Sequence, residues 1–378
     1  MRVLYVSYQD PFGIGGGCYA SHAYLKAFST IADGNVDVVI AEECDESKDV
    51  SIIYKSLYKV PQRKKISRAF SLFSGVLHRY DSFVKNLLRN DTTRYDYVVF
   101  SGCLVAGTLA KQACKYGAKV VTIHHNYEPE YYRDNMRDGM KKRLLITQVR
   151  RAERKAFKNS DFNFFLTRSD MNMFDKVYGK CEGKNHLIAT FEFSDVVLND
   201  PKKESTQLTF VITGTLSTYQ GIDGIKFFFD DLYCKLPYNS KVIIAGSSPS
   251  TVVQELCLKH SNVELVPNPL NMDDVLNKAD IYICPTRLGG GMKLRVMDGL
   301  KHGMPVIVHK CSARGYDLFY DTPAFTIFET SDDFEKKLDQ LITEKMKGLV
   351  KPSEVMDLYQ KNFSLRAGTI RIKTALNI

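Results

Sequence analysis

The sequence has no tryptophan, and its cysteines form none of the paired patterns that mark a disulfide framework or a zinc site. All nine are scattered singly, so we interpret them as small buried side chains. No stretch approaches about 18 uninterrupted apolar residues, the length of a membrane-spanning helix. The N-terminal residues MRVLYVSYQD lack the profile of a secretory signal. These absences predict an intracellular, cytoplasmic protein.

Positive charge is in excess and is concentrated in two stretches. There are 52 Lys and Arg against 43 Asp and Glu, a net charge of +9. Residues 55–94 hold ten basic residues against two acidic ones, and residues 133–158 hold ten against three. No nucleic-acid-binding motif accompanies them, so we interpret this charge as a docking surface for an anionic membrane. The candidate membrane contacts are Arg63, Lys64, Lys65 and Arg68.

A helical stripe of apolar residues runs through the first basic stretch, from Ile66 to Leu88. It predicts one amphipathic helix. Such a helix packs one face on a sheet, lies on an anionic membrane surface, or does both.

The chain is too long for one hydrophobic core, since single cores stop growing at roughly 250–300 residues. Apolar runs rich in β-branched residues alternate with helical patterns, which is typical of parallel sheets covered on both faces. The polar segment SDVVLNDPKKEST interrupts this alternation. We therefore predict two α/β domains, over residues 1–195 and 208–352, joined by a linker at 196–207.

Directly after the first predicted strand, Gly13, Gly15, Gly16 and Gly17 lead into a helical pattern. Glycines let backbone N–H groups approach a ligand closely, and a helix N-terminus favours an anion. The spacing differs from the G-x-G-x-x-G pattern of nicotinamide-binding loops, so such a cofactor is disfavoured. The loop is either an anion-binding loop or an ordinary turn.

A polar cluster follows the predicted strand at 119–123. Ligands in open α/β sheets bind at the carboxyl ends of strands, and the cluster lies at such an end. We expect one histidine to contact substrate. Metal binding and an ordinary loop are the alternatives, and one loop alone rarely completes a metal site. The cluster consists of His124, His125, Asn126, Glu128 and Glu130.

The most informative segment is ICPTRLGGGMKLRVMDGLKHGMPVIVH, over residues 283–309. Three glycines follow a buried strand, and the predicted helix after them carries Lys293, Arg295 and Asp298. Cations beside a glycine loop and a helix N-terminus form a site for a dianion such as a diphosphate. The carboxylate one turn further suits the hydroxyls of a ribose or sugar. The alternative is a solvated helix face.

Together these motifs resemble the GT-B glycosyltransferases of the large family-4, or group 1, type. The resemblance rests on the first glycine loop, His125-Asn126-Tyr127-Glu128, FVITGTLSTYQGIDGIKFF and GGGMKLRVMDGLKHGMPVI. It implies two Rossmann-like parallel-sheet domains that face each other across a cleft, with a C-terminal helix over 353–378 crossing back to the first domain. It implies transfer of a sugar from a UDP-sugar or another nucleotide sugar to an acceptor hydroxyl, with retention, and without a metal or other cofactor.

The resemblance also implies roles for individual residues. Lys293 and Arg295 would neutralise the donor diphosphate and Asp298 would hold the ribose. Either His124 or His125 would approach the transferred sugar. The implied catalytic candidates are His124, His125, Lys293 and Arg295; the donor-binding candidates are Gly16, Gly17, Gly214, Thr215, Gly290, Gly291, Lys293, Arg295 and Asp298; the acceptor-side candidates are Asn126 and Glu128.

Two departures from the family pattern leave alternatives open. Many members have two glutamates eight positions apart, where this sequence has Gly290 and Asp298. Many also have Arg and Lys in the loop that here reads Gly214-Thr215-Leu216-Ser217. A catalytically reduced subunit that binds donor or partner without turnover is one alternative, and a nucleotide-sugar epimerase is another.

The leading hypothesis is an enzyme of surface polysaccharide or glycolipid synthesis, peripheral on the inner face of the cytoplasmic membrane. Its expected partners are a nucleotide-sugar donor, a glycan or lipid-linked acceptor and an anionic membrane surface, with no nucleic acid.

Overall fold

The computed structural model describes residues 1–13, 15–48, 51–62, 73–136, 138–192 and 207–378. The chain divides into two units, the first formed by Met1–Asp195 with Phe363–Ile378 and the second by Val196–Asn362. Each unit is built on one parallel sheet, with helices alternating along the chain, which confirms the prediction of two parallel-sheet domains. The predicted linker, apart from Gln207, lies outside the described residues, as do Arg63, Lys64, Lys65 and Arg68.

The first sheet has seven strands in the order β3-β2-β1-β4-β5-β6-β7, all parallel. Its central strands are buried on both faces, which explains their continuous apolar sequences. Ser7 at the end of β1 pairs in register with Ser101 at the end of β4, so the loops after these strands leave the same edge. The strands are β1 (Val3–Ser7), β2 (Val36–Ala41), β3 (Ser56–Val60), β4 (Tyr97–Ser101), β5 (Lys119–His124), β6 (Phe162–Phe165) and β7 (Asn185–Leu187).

The helices of the first unit depart from the prediction at one place. The predicted continuous helix from Ile66 to Leu88 is wrong, because Gly75 takes a left-handed conformation (φ 76°) that a helix cannot continue through. Helix structure resumes at Asp81, after Tyr80 donates its backbone N–H to the His78 ring. The helices are α1 (Gly16–Ile31), α2 (Asp81–Asn90), α3 (Cys103–Lys115), α4 (Glu128–Asn135), α5 (Met140–Asn159) and α6 (Arg168–Tyr178).

The second sheet has six parallel strands in the order β10-β9-β8-β11-β12-β13. The strand order reverses between β8 and β11, and ligands of open α/β sheets bind outside the carboxyl ends at such a point. The strands are β8 (Leu208–Thr215), β9 (Ser240–Ser247), β10 (Val263–Pro267), β11 (Ile281–Cys284), β12 (Val306–His309) and β13 (Phe325–Phe328). The helices are α7 (Tyr219–Phe227), α8 (Thr251–Leu258), α9 (Asp273–Leu276), α10 (Val296–Lys301), α11 (Ser331–Met346) and α12 (Pro352–Phe363).

Helix α13 (Leu365–Leu376) belongs to the first unit. Gly368 lies against the ring of Phe191, where any larger residue would clash, and Arg371 donates to the carbonyl of Ala189. The sequence predicted one returning helix over 353–378. The structure has two helices, because Ser364 interrupts them and caps α13 by accepting from the N–H of Ala367 (3.2 Å).

Candidate functional site

In the second unit, a glycine loop follows β11 at the carboxyl edge of the sheet. Gly289 (φ 83°) and Gly291 (φ 68°) take left-handed conformations that favour glycine, so the chain turns sharply there. The sequence placed Lys293 on the following helix. In the structure α10 begins only at Val296, and Lys293 lies in the loop because its side chain binds the loop's own carbonyls.

Lys293 is the most enclosed cation of this loop, with 8% of its surface exposed. Its Nζ donates to the carbonyls of Gly290 (2.8 Å) and Gly289 (3.1 Å). Burial, together with the nearby charges of Arg295 and Arg314, lowers the pKa of Lys293 to about 8. No carboxylate within the described residues forms an ion pair with it.

Arg295 joins this loop to the end of β8. Its Nη1 donates to Thr286 Oγ1 (3.3 Å), and its guanidinium lies against Gly214. A Cβ atom on Gly214 would stand only 2.5 Å from Nη1 and 2.6 Å from Cζ. The structure therefore brings together Gly214 and Arg295 of the predicted donor-binding set, while half-buried Thr215 follows at the end of the strand.

Asp298 lies one turn into the same segment and points its carboxylate back to β8. Its Oδ2 accepts from Thr213 Oγ1 (2.9 Å), which also bonds the hydroxyl of Tyr282 (2.7 Å). The carboxylate is thus anchored within the protein beside Arg295. Its contact with a ribose stays a prediction.

Two further contacts fix the glycine loop to α7, and sequence reasoning missed both. Arg287 forms a bidentate ion pair with Asp223 (3.0 and 3.1 Å) and stacks over Phe227. The side chain of Gln220 lies directly against Gly289. Neither pairing had a local signal, because the partners are far apart in the chain.

In the first unit, His124 belongs to the core. Its side chain is fully buried, its Nε2 bonds Asn163 Oδ1 (3.0 Å), and its ring stacks on Phe165 at 4.9 Å between centroids. Burial lowers the pKa of His124 to about 4. Core side chains pack around its ring, and its predicted substrate contact stays a prediction.

His125 lies one residue beyond the end of β5 and takes part in a different network. Its Nε2 bonds Ser101 Oγ (3.0 Å), which in turn bonds Ser21 Oγ (2.6 Å). Burial lowers the pKa of His125 to about 4, so the ring is neutral at pH 7. The predicted substrate contact of His125 likewise stays a prediction.

Asn126 and Glu128 are brought together at the start of α4. Asn126 Nδ2 donates to Glu128 Oε1 (3.1 Å), and both residues are partly exposed. Burial raises the pKa of Glu128 to about 7, and the charge of Asp170 adds to the rise. This carboxyl is therefore only about half ionised near neutral pH.

Two buried carboxyls that sequence reasoning missed hold the beginning of α4. Glu153 Oε1 accepts from the backbone N–H of Glu128 (2.9 Å), and its Oε2 accepts from the Tyr178 hydroxyl (2.7 Å). Asp170 Oδ1 accepts from the backbone N–H of Tyr127 (3.3 Å). The sequence did contain a signal that Glu153 is buried, because this residue falls on the same helical face of α5 as the buried Val149 and Ala156.

The first glycine loop ends at Gly15 (φ 130°), and α1 begins at Gly16. Gly16 is exposed and Gly17 lies against the side chain of Gln9. No described side chain caps the first turn of α1, and no acidic residue lies in it. Its N–H groups are thus suited to an anion, as the prediction requires.

The exposed face of α5 is basic. Its only acidic residue, Glu153, is buried. Its exposed cations are Lys141, Arg143, Arg150, Arg151, Arg154, Lys155 and Lys158.

Within the described ranges, no helix combines the length and apolar composition needed to cross a membrane. Across the same ranges, no group of three or more His, Cys, Asp or Glu side chains is arranged to hold a metal ion.

Comparison with known proteins finds similarity in the second unit. Residues 207–344 match the family model described as Glycosyl transferases group 1. This match spans the second sheet, the glycine loop and Lys293, Arg295 and Asp298. No curated protein sequence matches the chain.

Several solved structures share the fold over the whole chain. Alr3699/HepE from Anabaena in complex with UDP is 12% identical, with a TM-score of 0.72 and 100% of both chains covered. Sucrose-phosphate synthase from Thermosynechococcus elongatus is 12% identical, with a TM-score of 0.72, over 100% of this chain and 98% of that one. The lipopolysaccharide outer core galactosyltransferase WaaB is 12% identical, with a TM-score of 0.69, over 100% and 99%. The second unit is thus similar in sequence to the group 1 glycosyl transferase model, and the whole chain shares the GT-B fold of these solved structures.

Proposed function

We propose that this protein is a glycosyltransferase that moves a sugar from a UDP-sugar to a hydroxyl group of its acceptor. The observation that carries the proposal is the pair Lys293 and Arg295, which lie beside the glycine loop without a carboxylate ion pair among the described residues. Partly buried cations at the carboxyl edge of a parallel sheet favour a diphosphate. The structure of HepE in complex with UDP supports the choice of base.

The chemistry follows from that charge. The bond between the anomeric carbon and the diphosphate oxygen breaks, a bond to the acceptor oxygen forms, and the acceptor's proton is released. Negative charge develops on the leaving diphosphate, so Lys293 and Arg295 stabilise the transition state more than the ground state. Because side chains supply this charge, we propose a reaction without a metal. Retention of configuration is proposed from the family resemblance.

On the first unit, we propose that His125 contacts the transferred sugar and that Asn126 and Glu128 bind the acceptor. The amide and the carboxyl form a hydrogen-bonded pair with partly exposed edges, which suits sugar hydroxyls. Gly16 and Gly17 offer uncapped N–H groups to an anion. In this proposal Asp298, together with Gly290 and Gly291, completes the donor side.

We also propose that the protein works at an anionic membrane on the cytoplasmic side, in surface polysaccharide or glycolipid synthesis. The basic face of α5 supports the membrane contact. The name of WaaB, a lipopolysaccharide galactosyltransferase, supports the class of product.

A donor panel tests the proposal. The purified protein is incubated with UDP-, GDP- and ADP-sugars, with and without a chelator, and nucleoside diphosphate release is measured. We expect release from a UDP-sugar that survives chelation and is largely lost in Lys293→Ala and Arg295→Ala. Lys310→Ala is the control, because the Lys310 ammonium is already paired with Glu329 (2.8 Å). Failure of the unchanged protein to bind any nucleoside diphosphate contradicts the proposal.

One observation favours a second candidate, a subunit that binds the donor without turnover. Gly290 stands where many family members have a glutamate, so a sugar-contacting carboxylate is missing. This candidate predicts UDP binding without release of UDP from any donor sugar. Conversion of the donor into a different nucleotide sugar would instead favour an epimerase.

A further inference from the structure

Arg314 projects from a tight turn in the connection between β12 and β13. The backbone N–H of Tyr316 donates to the carbonyl of Ala313 (3.1 Å), and Gly315 takes a φ of 90°. This is the pattern of a type II turn, in which Arg314 occupies the second position and glycine the third. The turn therefore fixes where the Arg314 backbone lies.

The turn is attached on both sides to the glycine loop. Before it, fully buried Ser312 donates from Oγ to the carbonyl of Thr286 (2.6 Å). After it, fully buried Tyr316 donates from its hydroxyl to the carbonyl of Lys293 (2.9 Å). The strands that precede the two loops, β11 and β12, are parallel neighbours. Arg314 is thus carried on a rigid support bonded to the same segment that carries Lys293.

Two other cations lie near this turn. Thr286 also accepts from Arg295, so a single residue connects the turn to the second cation of the loop. The positive charge of Arg314 is close enough to disfavour the charged form of Lys293 and to favour the ionised form of Tyr320. Arg314 is partly exposed and forms no hydrogen bond or ion pair with a described residue.

We propose that Arg314 is a third cation of the donor diphosphate site, beside Lys293 and Arg295. Like charges near one another repel, none of the three forms an ion pair with a described carboxylate, and a bound diphosphate would relieve the repulsion. The planar fork of an arginine suits two phosphate oxygens. This inference rests on the proposed function, and it adds a residue outside the glycine loop to its binding site.

Isothermal titration of UDP and of inorganic pyrophosphate into the full chain tests the inference. We expect Arg314→Ala to weaken the binding of UDP and of pyrophosphate by about ten- to a hundredfold, because the loss of a charged hydrogen bond has an effect of that size. Arg314→Lys keeps the charge but lacks the planar fork of the guanidinium. We expect its affinities to fall between those of the unchanged protein and those of Arg314→Ala. Lys310→Ala removes an equal charge from the same connection, and because its ammonium is paired with Glu329 we expect a change of at most about twofold.

The outcomes separate the inference from the proposed function. Unchanged UDP affinity in Arg314→Ala, with normal binding by the unchanged protein, overturns the inference alone. Weaker UDP binding with unchanged pyrophosphate binding also overturns it, because Arg314 would then serve the base or the ribose. No UDP binding by the unchanged protein overturns the proposed function and this inference together. Circular dichroism melting of each variant separates lost binding from lost fold.

Discussion

Gly214 and Arg295 fit against each other in the second unit because Gly214 has no side chain. The guanidinium occupies the space that a Cβ atom on Gly214 would need. The sequence identified Arg295 from its motif and Gly214 from the family resemblance. It held no information that the two would touch, because residues 81 positions apart meet only once β8 and β11 pair.

We predict that Gly214→Ala weakens UDP binding by about tenfold, since the methyl group displaces Arg295 from its place and loses part of a charged interaction. Titration calorimetry measures the change. Gly348→Ala is the matched control, because Gly348 also has a left-handed φ (69°) but open space around it. The control should lose comparable stability and keep its UDP affinity. Equal affinities in the two variants would contradict the proposed place of Arg295.

Lys293 gives the binding a pH dependence. Its ammonium loses the proton near pH 8, and a bound diphosphate favours the charged form, so binding takes up a proton. We therefore predict that UDP affinity is steady between pH 7 and 8 and falls as the pH rises further. Lys293→Met should bind weakly at every pH and lose this dependence, as measured by titration between pH 7 and 10. A flat profile for the unchanged protein would count against a role for Lys293.

The histidine pair shows a limit of sequence reasoning at the same scale. Both residues follow an apolar run, so the sequence left the choice between them open. β5 extends through His124, and this last strand residue faces the aromatic cluster of Phe157, Phe165 and Phe174. Only the position of the strand end decides which histidine faces this aromatic cluster.

At the scale of elements, the strands of the first sheet that are buried on both faces were predictable and its two edge strands were not. The central strands read as continuous β-branched runs, whereas β3 (SLYKV) and β7 (NHL) are partly exposed and polar. Each is the outermost strand of the sheet on its side. A polar edge strand of three to five residues lacks the apolar run that identifies a buried strand.

Helix α4 begins on carboxyls supplied by other helices. We predict that Glu153→Ala lowers the free energy of unfolding by about 2–3 kcal/mol, because the Glu128 N–H and the Tyr178 hydroxyl lose their acceptor. Glu153→Gln keeps an acceptor oxygen, so its free energy of unfolding should fall by less. Glu130→Ala, in the first turn of the same helix, is the control and should change stability by less than about 0.5 kcal/mol. Urea unfolding measures all three, and an unaffected Glu153→Ala would refute the capping role.

For the whole molecule, the uneven charge makes a prediction about surfaces. We expect replacement of Arg150, Arg151 and Arg154 by Ala to weaken binding to anionic vesicles about a hundredfold, at about 1 kcal/mol per charge. Replacement of Lys336, Lys347 and Lys361, exposed cations of the second unit, removes the same charge and is the control. Vesicle co-sedimentation at low and high salt measures both. Equal binding to neutral vesicles would exclude an electrostatic contact.

The two-unit architecture was accessible from the sequence because the two series of buried strands are separated by one polar segment. The division near residue 363 was not, since the residues around Ser364 read as one continuous helical pattern. Only the cap at Ser364 and the contact between Gly368 and Phe191 reveal where the chain returns to the first unit.

That return has a consequence for the order in which the protein is made. Residues up to Glu192 leave the ribosome first, but the ring of Phe191 is covered only when Gly368 arrives, after the whole second unit has been synthesised. At about 5–20 residues per second, the interval lasts about ten to thirty seconds. Throughout that time an apolar face that Tyr24 and Phe191 share lacks its covering helix. The second unit, although it is translated later, has all of its residues available before the first unit does.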